Sequence, residues 1–379
     1  MPYLKEDFGN AGAIYDLGRR ARHAVDGARA RVAKLIGAKP QEIIFTAGGT
    51  ESDNLAILGY ARANALKGNN RGHIITTNIE HHAVLDACRA LESEGFEITY
   101  LPVDKDGLVT VEQVARAVRS DTILVSVMYA NNEIGTVMPI TRIGKKLALL
   151  NAARQRRQLP RVAFHSDACQ AAGYLNINVN DLSVDLMTVN GSKLYGPKGI
   201  GFLYRRRDVS LVPIIWGGGQ EFGLRSGTEN VASIVGLAEV LSISQKQRSR
   251  EAKRLTALRD KFIDAVLDQI PKTLLNGHSQ KRLPNNINIS ILGIEGESAV
   301  LYLDAQGIAC ATGSACTVAN LEPSYVITAL GKNHERAHGS LRLTLGRETT
   351  QKDLDYTLAV LTKVAKRLRQ ISAVGGKND

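Results

Sequence analysis

The chain has 379 residues, a formal net charge of +11, 44% hydrophobic residues and 22% charged residues. This composition allows a large globular core in two or three domains, and no run reaches the roughly 18 apolar residues of a membrane span. The basic residues are scattered and aromatic residues are only 5%, so a base-stacking surface is not expected and we predict neither a nucleic-acid partner nor a membrane partner. Four cysteines are too few for a disulfide framework. With no signal-peptide pattern in MPYLKEDFGN, we expect a reducing, cytoplasmic location.

Strand-like and helix-like segments alternate through the first part of the chain. The predicted strands are EIIFT (42–46), HIITT (73–77), FEITYL (96–101), TILVSV (122–127), VAFHSD (162–167), DLMTV (185–189) and GIGFLY (199–204). The predicted helices cover 50–66, 81–94, 111–119 and 140–157. Such alternation favours an α/β fold in which helices flank a mainly parallel sheet.

The later part of the chain changes in character. A long charged helix is predicted at 230–267, followed by the strand NINISI (286–291), a helix at 297–305, the strand SLRLTL (340–345) and a closing helix from 351. We therefore predict a large α/β domain at 9–245 and a smaller α+β domain at 246–379 that also includes 1–8.

An anion site is predicted at TAGGTESDN (46–54), between a strand and a helix. Gly48 and Gly49 allow the backbone to approach a ligand closely, and the helix N-terminus favours a phosphate. Thr50 and Asp53 have capping-box spacing, so the same residues would also suit a capped helix after a tight turn. The segment lacks a P-loop lysine and a dinucleotide fingerprint, so it does not indicate a nucleotide, but it would suit a single phosphate.

Three further side chains would suit a carbonyl cofactor. Asp167 ends a predicted strand, where a carboxylate could hold a protonated ring nitrogen, although it could also cap a loop. His81 could move protons near neutral pH or lie on the surface beside His82. Lys193, in NGSKLYGPKGIG (190–201), could form a Schiff base or be a turn lysine, as we expect for Lys198.

Cys316 differs from the other cysteines in its surroundings. It lies among small and polar residues in IACATGSACTVANLEPSYV, which predicts a loop and allows the exposure that a reactive thiolate needs. We expect Cys88 to be buried as a small hydrophobe. Cys169 and Cys310 suit packing roles.

These motifs together resemble one family. The segments FTAGGTESDNLAI, HIITTNIEHHAVLD, NNEIGTVMPI, SDACQAAG, NGSKLYGPKGIGFLY, RSGTEN, GSACTVANLEPSYV and LRLTLGR resemble, in order and over nearly the whole chain, the cysteine desulfurases of the NifS/IscS type. That resemblance implies fold type I of the pyridoxal 5′-phosphate (PLP) enzymes, with a mainly parallel sheet of the seven-stranded type. It also implies conversion of L-cysteine to L-alanine, with sulfur passed as a persulfide to an acceptor protein such as an iron–sulfur scaffold.

The resemblance also assigns roles to matching residues. Lys193 matches the Schiff-base lysine, Asp167 the partner of the pyridine nitrogen, His81 the histidine stacked on the ring, and Cys316 the sulfur-accepting cysteine. Further cofactor contacts are implied for Gly49, Thr50, Asn132, Gln170, Asn190, Ser192 and Thr228. Of these, Asn190 and Ser192 replace the serine and histidine of many members. Thr228 implies a phosphate contact from a second subunit and hence a homodimer.

Substrate and metal roles follow in the same way. Asn132 and Arg342 match the groups that hold the substrate carboxylate. No resident metal is implied, although Cys316 could serve as a transient iron–sulfur ligand.

Two alternatives stay open at this point. The chain could be a selenocysteine lyase or another fold-type-I PLP enzyme. Family members also begin with a strand and a segment like DNAATT about twenty residues before this chain starts. Its absence predicts either a start further upstream or a truncated homologue that binds a sulfur acceptor without turnover.

Overall fold

The computed structural model describes residues 2–66, 68, 71–313 and 323–371. The chain divides into two compact units by internal contacts. The first comprises Met1–Leu101, Thr110–Tyr129 and Pro139–Arg248, and the second comprises Pro102–Val109, Ala130–Met138 and Ser249–Asp379. This division differs from the predicted domains, because residues 1–8 group with the first unit and two short segments before residue 140 group with the second.

The first unit holds a seven-stranded sheet, counted over the described residues, in the order β1-β7-β6-β5-β4-β2-β3. The strands are β1 (Ile43–Thr46), β2 (His73–Thr77), β3 (Glu97–Leu101), β4 (Thr122–Ser126), β5 (Ala163–Asp167), β6 (Leu186–Asn190) and β7 (Gly201–Arg205). Pairing is parallel from β3 through β2, β4 and β5 to β6, whereas β7 is antiparallel to both of its neighbours. The predicted mainly parallel seven-stranded sheet is confirmed.

Helices flank this sheet. They are α1 (Pro2–Lys5), α2 (Asp16–Ile36), α3 (Gly49–Leu66), α4 (His82–Ser93), α5 (Val111–Ala117), α6 (Ile140–Arg156) and α7 (Val179–Leu182), followed by α8 (Val231–Gln269), which continues past the end of the first unit. Helix α2 was not among the helices predicted from the sequence. It buries Ala21, Val25, Ala28 and Val32 at helical spacing, so its apolar stripe is narrow among many charged residues.

The core of the first unit joins α3 and α4 to the sheet. Leu55, Ile57 and Tyr60 of α3 and Val84 of α4 are buried against strand residues such as Ile74. Central strands are buried along their whole length, as the all-buried β2, β4 and β5 show. A sheet buried on both faces keeps its strand ends in fixed positions.

The second unit is built on a three-stranded antiparallel sheet in the order β10-β9-β8. Its strands are β8 (Thr273–Leu275), β9 (Asn286–Ile291) and β10 (Ser340–Thr344), and its further helices are α9 (Gly296–Asp304), α10 (Tyr325–Ala329), α11 (His334–His338) and α12 (Gln351–Ile371). Strands β9 and β10 and the helices α9 and α12 match the predicted segments to within a residue or two. In the part of the chain that the structure describes, no helix is long and apolar enough to cross a lipid bilayer.

Candidate active site

Most of the predicted cofactor residues lie where strands of the first unit end. His81 lies between β2 and α4, Asp167 is the last residue of β5, and Asn190 is the last residue of β6. Strand β1 runs in the same direction as β6, because both are antiparallel to β7. The carboxyl ends of these strands therefore share one edge of the sheet, which is where open α/β sheets bind ligands.

The turn between β1 and α3 leaves no space for a side chain at Gly49. A Cβ at that position would lie 2.8 Å from Cys169 Sγ and 3.5 Å from the Cβ of Asn190. Helix α3 begins at Gly49 and is 18 residues long, so its first N–H groups and its dipole favour an anion. The structure thus brings Gly49 and Thr50 to the end of β6, with a backbone cradle that suits a phosphate.

The capping box predicted for Thr50 and Asp53 is wrong. Asp53 points into the core instead, where its Oδ1 lies 3.6 Å from Nε2 of the fully buried His165. The carboxylate that serves the turn belongs to Glu51, whose Oε2 accepts a hydrogen bond from the Ala47 N–H at 2.9 Å. Asp53 was misread because its position in α3 faces the sheet, which spacing along the chain does not reveal.

A buried polar layer lies behind Asp167. Within it, Nδ1 of His165 is 2.9 Å from Ser126 Oγ, and its Nε2 is 3.2 Å from Thr188 Oγ1. Burial lowers the pKa of His165 to about 3, so this ring is neutral. Burial also raises the pKa of Asp53, with the charge of Asp167 as the next cause. Strand alternation could have located His165, since it lies two residues before Asp167 and therefore on the same face of β5.

His81 occupies the N-cap position of α4. Its Nδ1 accepts a hydrogen bond from the Ala83 N–H at 3.1 Å, which leaves Nε2 as the nitrogen that can carry a proton. Burial lowers the pKa of His81, while the charge of Asp167 opposes this and Lys193 adds to it. The ring is therefore held neutral within electrostatic range of both Asp167 and Lys193.

Glu80, directly before His81, is a site residue that sequence reasoning missed. It is fully buried, and its Oε1 accepts hydrogen bonds from Thr77 Oγ1 at 2.7 Å and from the Met128 N–H at 2.9 Å. Burial raises the pKa of Glu80 to about 8. These bonds tie the loop that carries His81 to the end of the neighbouring strand β4.

Lys193 lies in a short 3-10 turn, Gly191–Leu194, directly after β6. Asn190 Oδ1 accepts hydrogen bonds from the Ser192 N–H and from Ser192 Oγ, both at 3.1 Å, which fixes the start of this turn. The side chains of Lys193 and Lys198 are both exposed. Lys193 differs from Lys198 because it lies just after the carboxyl end of β6, where its charge acts on His81.

The remaining first-unit residues differ in how closely they approach this cluster. Cys169 lies against Gly49, and its N–H donates to Asp167 Oδ1 at 2.8 Å. Gln170 is the half-buried next residue. Thr228 is exposed, shortly before α8 begins, and none of the contacts described for this chain joins it to the cluster.

In the second unit, the structure brings Asn132 and Arg342 together. Arg342, in β10, donates from Nη1 to the backbone carbonyl of Asn132 at 3.2 Å. The Oδ1 atom of Asn132 is buried and has no hydrogen-bond partner among the described residues. The guanidinium can donate hydrogen bonds to a carboxylate, and the free amide oxygen can accept one from a donor group of the same ligand. The pair therefore suits a small ligand that carries both groups.

The three cysteines that the structure describes have the packing roles that we expected. Cys88 is fully buried, and burial raises the pKa of its thiol to about 12. Burial raises the pKa of Cys310 to about 11 and also raises that of Cys169, so these thiols stay protonated near neutral pH. Cys316 lies outside the described residues. Within them, no group of three His, Cys, Asp or Glu side chains is placed to hold a metal.

Comparison with known proteins places this geometry in a family. A family model described as aminotransferase class V matches residues 1–357. The chain belongs to the aminotransferase class-V family. It is 49% identical to the cysteine desulfurase IscS of Dictyoglomus turgidum, over 98% of this chain and 91% of that protein. It is 48% identical to the IscS of Methanosarcina thermophila, over 100% of this chain and 90% of that protein. The predicted resemblance to the NifS/IscS desulfurases is confirmed.

Solved structures agree with the sequence relatives. A NifS-like protein superimposes with a TM-score of 0.88 at 33% identity, covering 97% of this chain and 94% of that one. SspA, solved in complex with cysteine, gives a TM-score of 0.76 at 33% identity and covers 91% and 92%. The expected fold type I of the PLP enzymes is therefore confirmed.

Pyridoxal 5′-phosphate is the cofactor of this family, and the first-unit residues fit it. The crowded Gly49 position and the start of α3 provide a phosphate cradle. Asp167 ends β5 on the same edge, where a carboxylate suits the protonated pyridine nitrogen. Lys193, in the turn after β6, would provide the amine.

Proposed function

We propose that this chain is a PLP-dependent cysteine desulfurase that converts L-cysteine to L-alanine and carries the sulfur as a persulfide on Cys316. The proposal depends on the arrangement of His81, Asp167 and Lys193 at the carboxyl ends of neighbouring strands. The chain that carries them is 49% identical to a curated cysteine desulfurase. The bound cofactor supplies an electron sink beside the substrate α-carbon.

The residues of the first unit hold the cofactor and move protons. Lys193 would hold the cofactor through its Nζ amine, and the same amine would take the α-proton of the substrate. The Asp167 carboxylate would hold the proton of the pyridine nitrogen, and the neutral His81 ring would face the cofactor, with Nε2 as its proton-carrying atom. Gly49, Thr50, Asn190 and Ser192 would hold the phosphate, and Gln170 would lie by the ring oxygen.

Asn132 and Arg342 hold the substrate, and Cys316 accepts its sulfur. Asn132 also contributes to the cofactor site, and the Arg342 guanidinium binds the carboxylate of L-cysteine. The Cys316 thiolate attacks the substrate sulfur, so a sulfur–sulfur bond forms as the carbon–sulfur bond breaks. The electron pair of the broken bond is left on carbon, which takes up a proton and leaves as alanine. One thiol and one L-cysteine thus give one persulfide and one L-alanine, with no external oxidant.

The assembly and location remain parts of the proposal. A homodimer in which Thr228 reaches the partner's phosphate is supported by the exposed aromatic side chains nearby, Trp216 at 76% and Phe222 at 54% exposure. We further propose a cytoplasmic enzyme that passes sulfur to an iron–sulfur scaffold, with Cys316 as a transient cluster ligand during transfer.

One experiment tests the activity directly. The purified chain with PLP is mixed with L-cysteine, alanine is quantified, and the Cys316 peptide is analysed by mass spectrometry. We expect equal amounts of alanine and transferable sulfur, with a 32 Da adduct of about one sulfur atom on Cys316. Cys316→Ala should keep bound PLP and lose that adduct. Desulfurase turnover at the wild-type rate in this variant would refute the role of Cys316.

The same assay separates the alternatives. Selenocysteine as the only productive substrate would identify a selenocysteine lyase. Bound PLP without alanine release from either substrate would favour a non-catalytic acceptor-binding homologue.

A further inference from the structure

The turn that would hold the cofactor phosphate is supported by a surface segment that has no part in the proposed chemistry. This segment is WGGGQEFGLRSG, residues 216–227, which we call the strap. It closes on itself, because the Ser226 N–H donates to the Ile215 carbonyl at 3.4 Å and the Gly227 N–H donates to Gln220 Oε1 at 2.9 Å. The strap is therefore a folded loop whose side chains can be held in fixed directions.

A buried ion pair joins the strap to helix α2. Glu221 Oε1 accepts a hydrogen bond from Arg29 Nη2 at 2.6 Å, and Glu221 Oε2 accepts one from Arg29 Nη1 at 2.7 Å. The two side chains are only 3% and 7% exposed. The guanidinium carbon of Arg29 also lies over the rings of Phe45 and Phe222, at 4.8 and 5.1 Å from their centroids. Paired bonds of this kind fix a direction as well as supplying attraction.

This ion pair satisfies the outer edge of strand β1. Among the described strands, β1 lies at the end of the sheet and pairs with β7 alone. The Phe45 N–H donates to Glu221 Oε2 at 2.9 Å, and the Ile43 carbonyl accepts from Arg29 Nη1 at 2.6 Å. Backbone groups at a buried sheet edge need such partners. The ion pair therefore serves β1 as a neighbouring strand would.

A second ion pair joins the strap to the turn itself. Arg225 Nε donates to Glu51 Oε1 at 2.9 Å, and Glu51 Oε2 accepts from the Ala47 N–H at 2.9 Å. Glu51 lies in the first turn of α3. Glu221 and the Arg225–Glu51 pair thus fix the backbone at residues 45 and 47, just before the two glycines of the phosphate cradle.

The strap adopts an unfavourable backbone conformation where it makes the first of these contacts. Glu221 has a φ of 48° and Phe222 a φ of 61°, both in the left-handed region that favours glycine. Two consecutive large side chains in this region carry a conformational cost. What the molecule gains at these positions is the Glu221 bond to Arg29 and the Phe222 ring beside it. A costly conformation held by a buried ion pair suggests a role beyond closing a loop.

We propose that Glu221 and Arg225 are positioning residues, which hold the β1–α3 turn through the strap in the shape that binds the cofactor phosphate. Neither side chain has to touch the phosphate, because both act on the backbone just before the cradle. Loosening either ion pair lets the turn relax, so the N–H groups that would meet the phosphate lose their preset direction. This inference rests on the proposed place of the phosphate at Gly49 and Thr50, and it does not depend on desulfurase turnover.

The test compares two probes, pyridoxal 5′-phosphate and pyridoxal, which share the aldehyde that reacts with a lysine amine and differ in the phosphate group. Each is titrated into the full-length apoprotein, and binding is followed by absorbance. In Glu221→Ala we expect the affinity for pyridoxal 5′-phosphate to fall about tenfold, the equivalent of one hydrogen bond, while that for pyridoxal stays within about twofold. Arg225→Ala breaks a more exposed pair and should lower the affinity for pyridoxal 5′-phosphate about threefold. Glu221→Gln, which can still accept from the Phe45 N–H, should also lower it about threefold.

Asp185→Ala is the matched control. Asp185 is a buried carboxylate that likewise accepts from a strand N–H, that of Phe164 at 2.9 Å, and from two arginines, Arg161 at 2.8 Å and Arg206 at 2.6 Å. Phe164 lies near the amino end of β5, at the opposite end of the strand from the cofactor edge. We expect this variant to lower the free energy of unfolding in urea as Glu221→Ala does, and to keep its affinity for pyridoxal 5′-phosphate within about twofold.

Trp216 provides a second readout that needs no cofactor. It is the only tryptophan of the chain and belongs to the strap, so its time-resolved fluorescence anisotropy reports how freely the strap moves. We expect faster local depolarisation in Glu221→Ala than in the wild type, because the buried bonds that hold the strap are lost. Asp185→Ala should depolarise as the wild type does.

These measurements decide the inference. An equal loss of affinity for both probes in Glu221→Ala would overturn it, as would an equal loss of pyridoxal 5′-phosphate affinity in Asp185→Ala or unchanged depolarisation of Trp216 in Glu221→Ala. If Glu221→Ala does not fold, Arg225→Ala and Glu221→Gln give the same decision. If the wild type binds pyridoxal 5′-phosphate but releases no alanine, the proposed function fails, and the comparison of the two probes still decides the role of the strap.

Discussion

The strand-edge site of the first unit and the Asn132–Arg342 site of the second unit are built by different means. In the first unit, each functional side chain lies within a few residues of the end of a buried strand, and the sheet fixes all of them at once. In the second unit, the groups are held by hydrogen bonds between residues far apart in the sequence, such as Arg342 to Asn132. The comparison teaches that a regular sheet edge can be recognised from local patterns, whereas a site made of long-range contacts cannot.

The sites also differ in how they treat charge. Behind the strand-edge site, burial holds His165 neutral and raises the pKa of Asp53 and Glu80. Asp167 and Lys193 both act electrostatically on His81. In the second unit, burial also raises the pKa of Glu133, but the hydrogen bond from Ser324 and the charge of Arg342 oppose that shift. We expect substitutions in the first site to affect chemistry and those in the second to affect substrate binding.

The largest effect should come from Lys193→Ala. Removing the amine that binds PLP and moves the α-proton should lower kcat by about a thousandfold or more, because a positioned acid–base group contributes about 10²–10⁴. Borohydride treatment followed by peptide mapping should find cofactor on the Lys193 peptide of the wild type only. Lys198→Ala is the control, since this lysine is equally exposed but not assigned to the site. A cofactor adduct on Lys198 would move the site.

Arg342→Ala should weaken substrate binding and leave the cofactor in place. Loss of the guanidinium that holds the substrate carboxylate should raise KM for L-cysteine by about 30–100-fold, since hydrogen bonds to charged groups are each worth about 1.5–3 kcal/mol. Steady-state alanine release measures this, and PLP absorbance should be unchanged. Arg367→Ala, an arginine that lies over the Tyr302 ring instead, provides the control. A fall in kcat with unchanged KM would contradict the division between the two sites.

Gly49→Ala tests the phosphate cradle. The new Cβ would lie 2.8 Å from Cys169 Sγ, so the turn must shift and PLP affinity should fall by about tenfold, the loss of roughly one hydrogen bond to the phosphate. Titration of the apoprotein with PLP measures this. The double variant Gly49→Ala with Cys169→Ala removes the obstructing sulfur and should recover part of the affinity. Unchanged affinity in the single variant would exclude a phosphate at this turn.

The smallest effect is a change in the pH dependence of stability. The pKa of Glu80 is raised to about 8 in the folded chain, so its proton stabilises the fold below the unfolded pKa of about 4.3, and this contribution is lost as the pH rises through 8. Glu80→Gln should therefore weaken the decline of the unfolding free energy between pH 5 and 8, by at most about 1.4 kcal/mol per pH unit. Urea unfolding at several pH values provides the measurement.

His165 provides a comparison for the direction in which stability changes with pH. Its pKa is lowered to about 3, so its contribution acts in the opposite direction, and stability is lost as the pH falls below the unfolded value of about 6.5. Glu80→Gln should leave the part of this limb below about pH 4.3 unchanged, because Glu80 is protonated there in both the folded and the unfolded chain. A variant that altered both limbs equally would show that Glu80 acts through the packing of the whole layer instead of its own proton.

Sequence patterns were sufficient to predict those elements that depend on residues close together in the chain. The strands HIITT and NINISI begin and end where they were predicted, because β-branched runs between polar turns specify a buried strand. The positions of Asp167, His81 and Lys193 were predictable for the same reason, since each lies at or just after the end of such a run. Helix α2 was not predicted, although its buried residues Ala21, Val25, Ala28 and Val32 recur at helical spacing.

The sequence alone determined the parallel sheet, the strand-end positions of the cofactor residues and the family to which the chain belongs. These depend on periodicity and on neighbours within a few residues. Only the tertiary structure decided that Asp53 faces His165, that Glu80 bridges two strand ends, and that the Glu133 carboxyl group accepts a hydrogen bond from Ser324. The reason is that burial and long-range hydrogen bonding set both the direction of a polar side chain and its charge state, and neither is encoded in spacing along the chain.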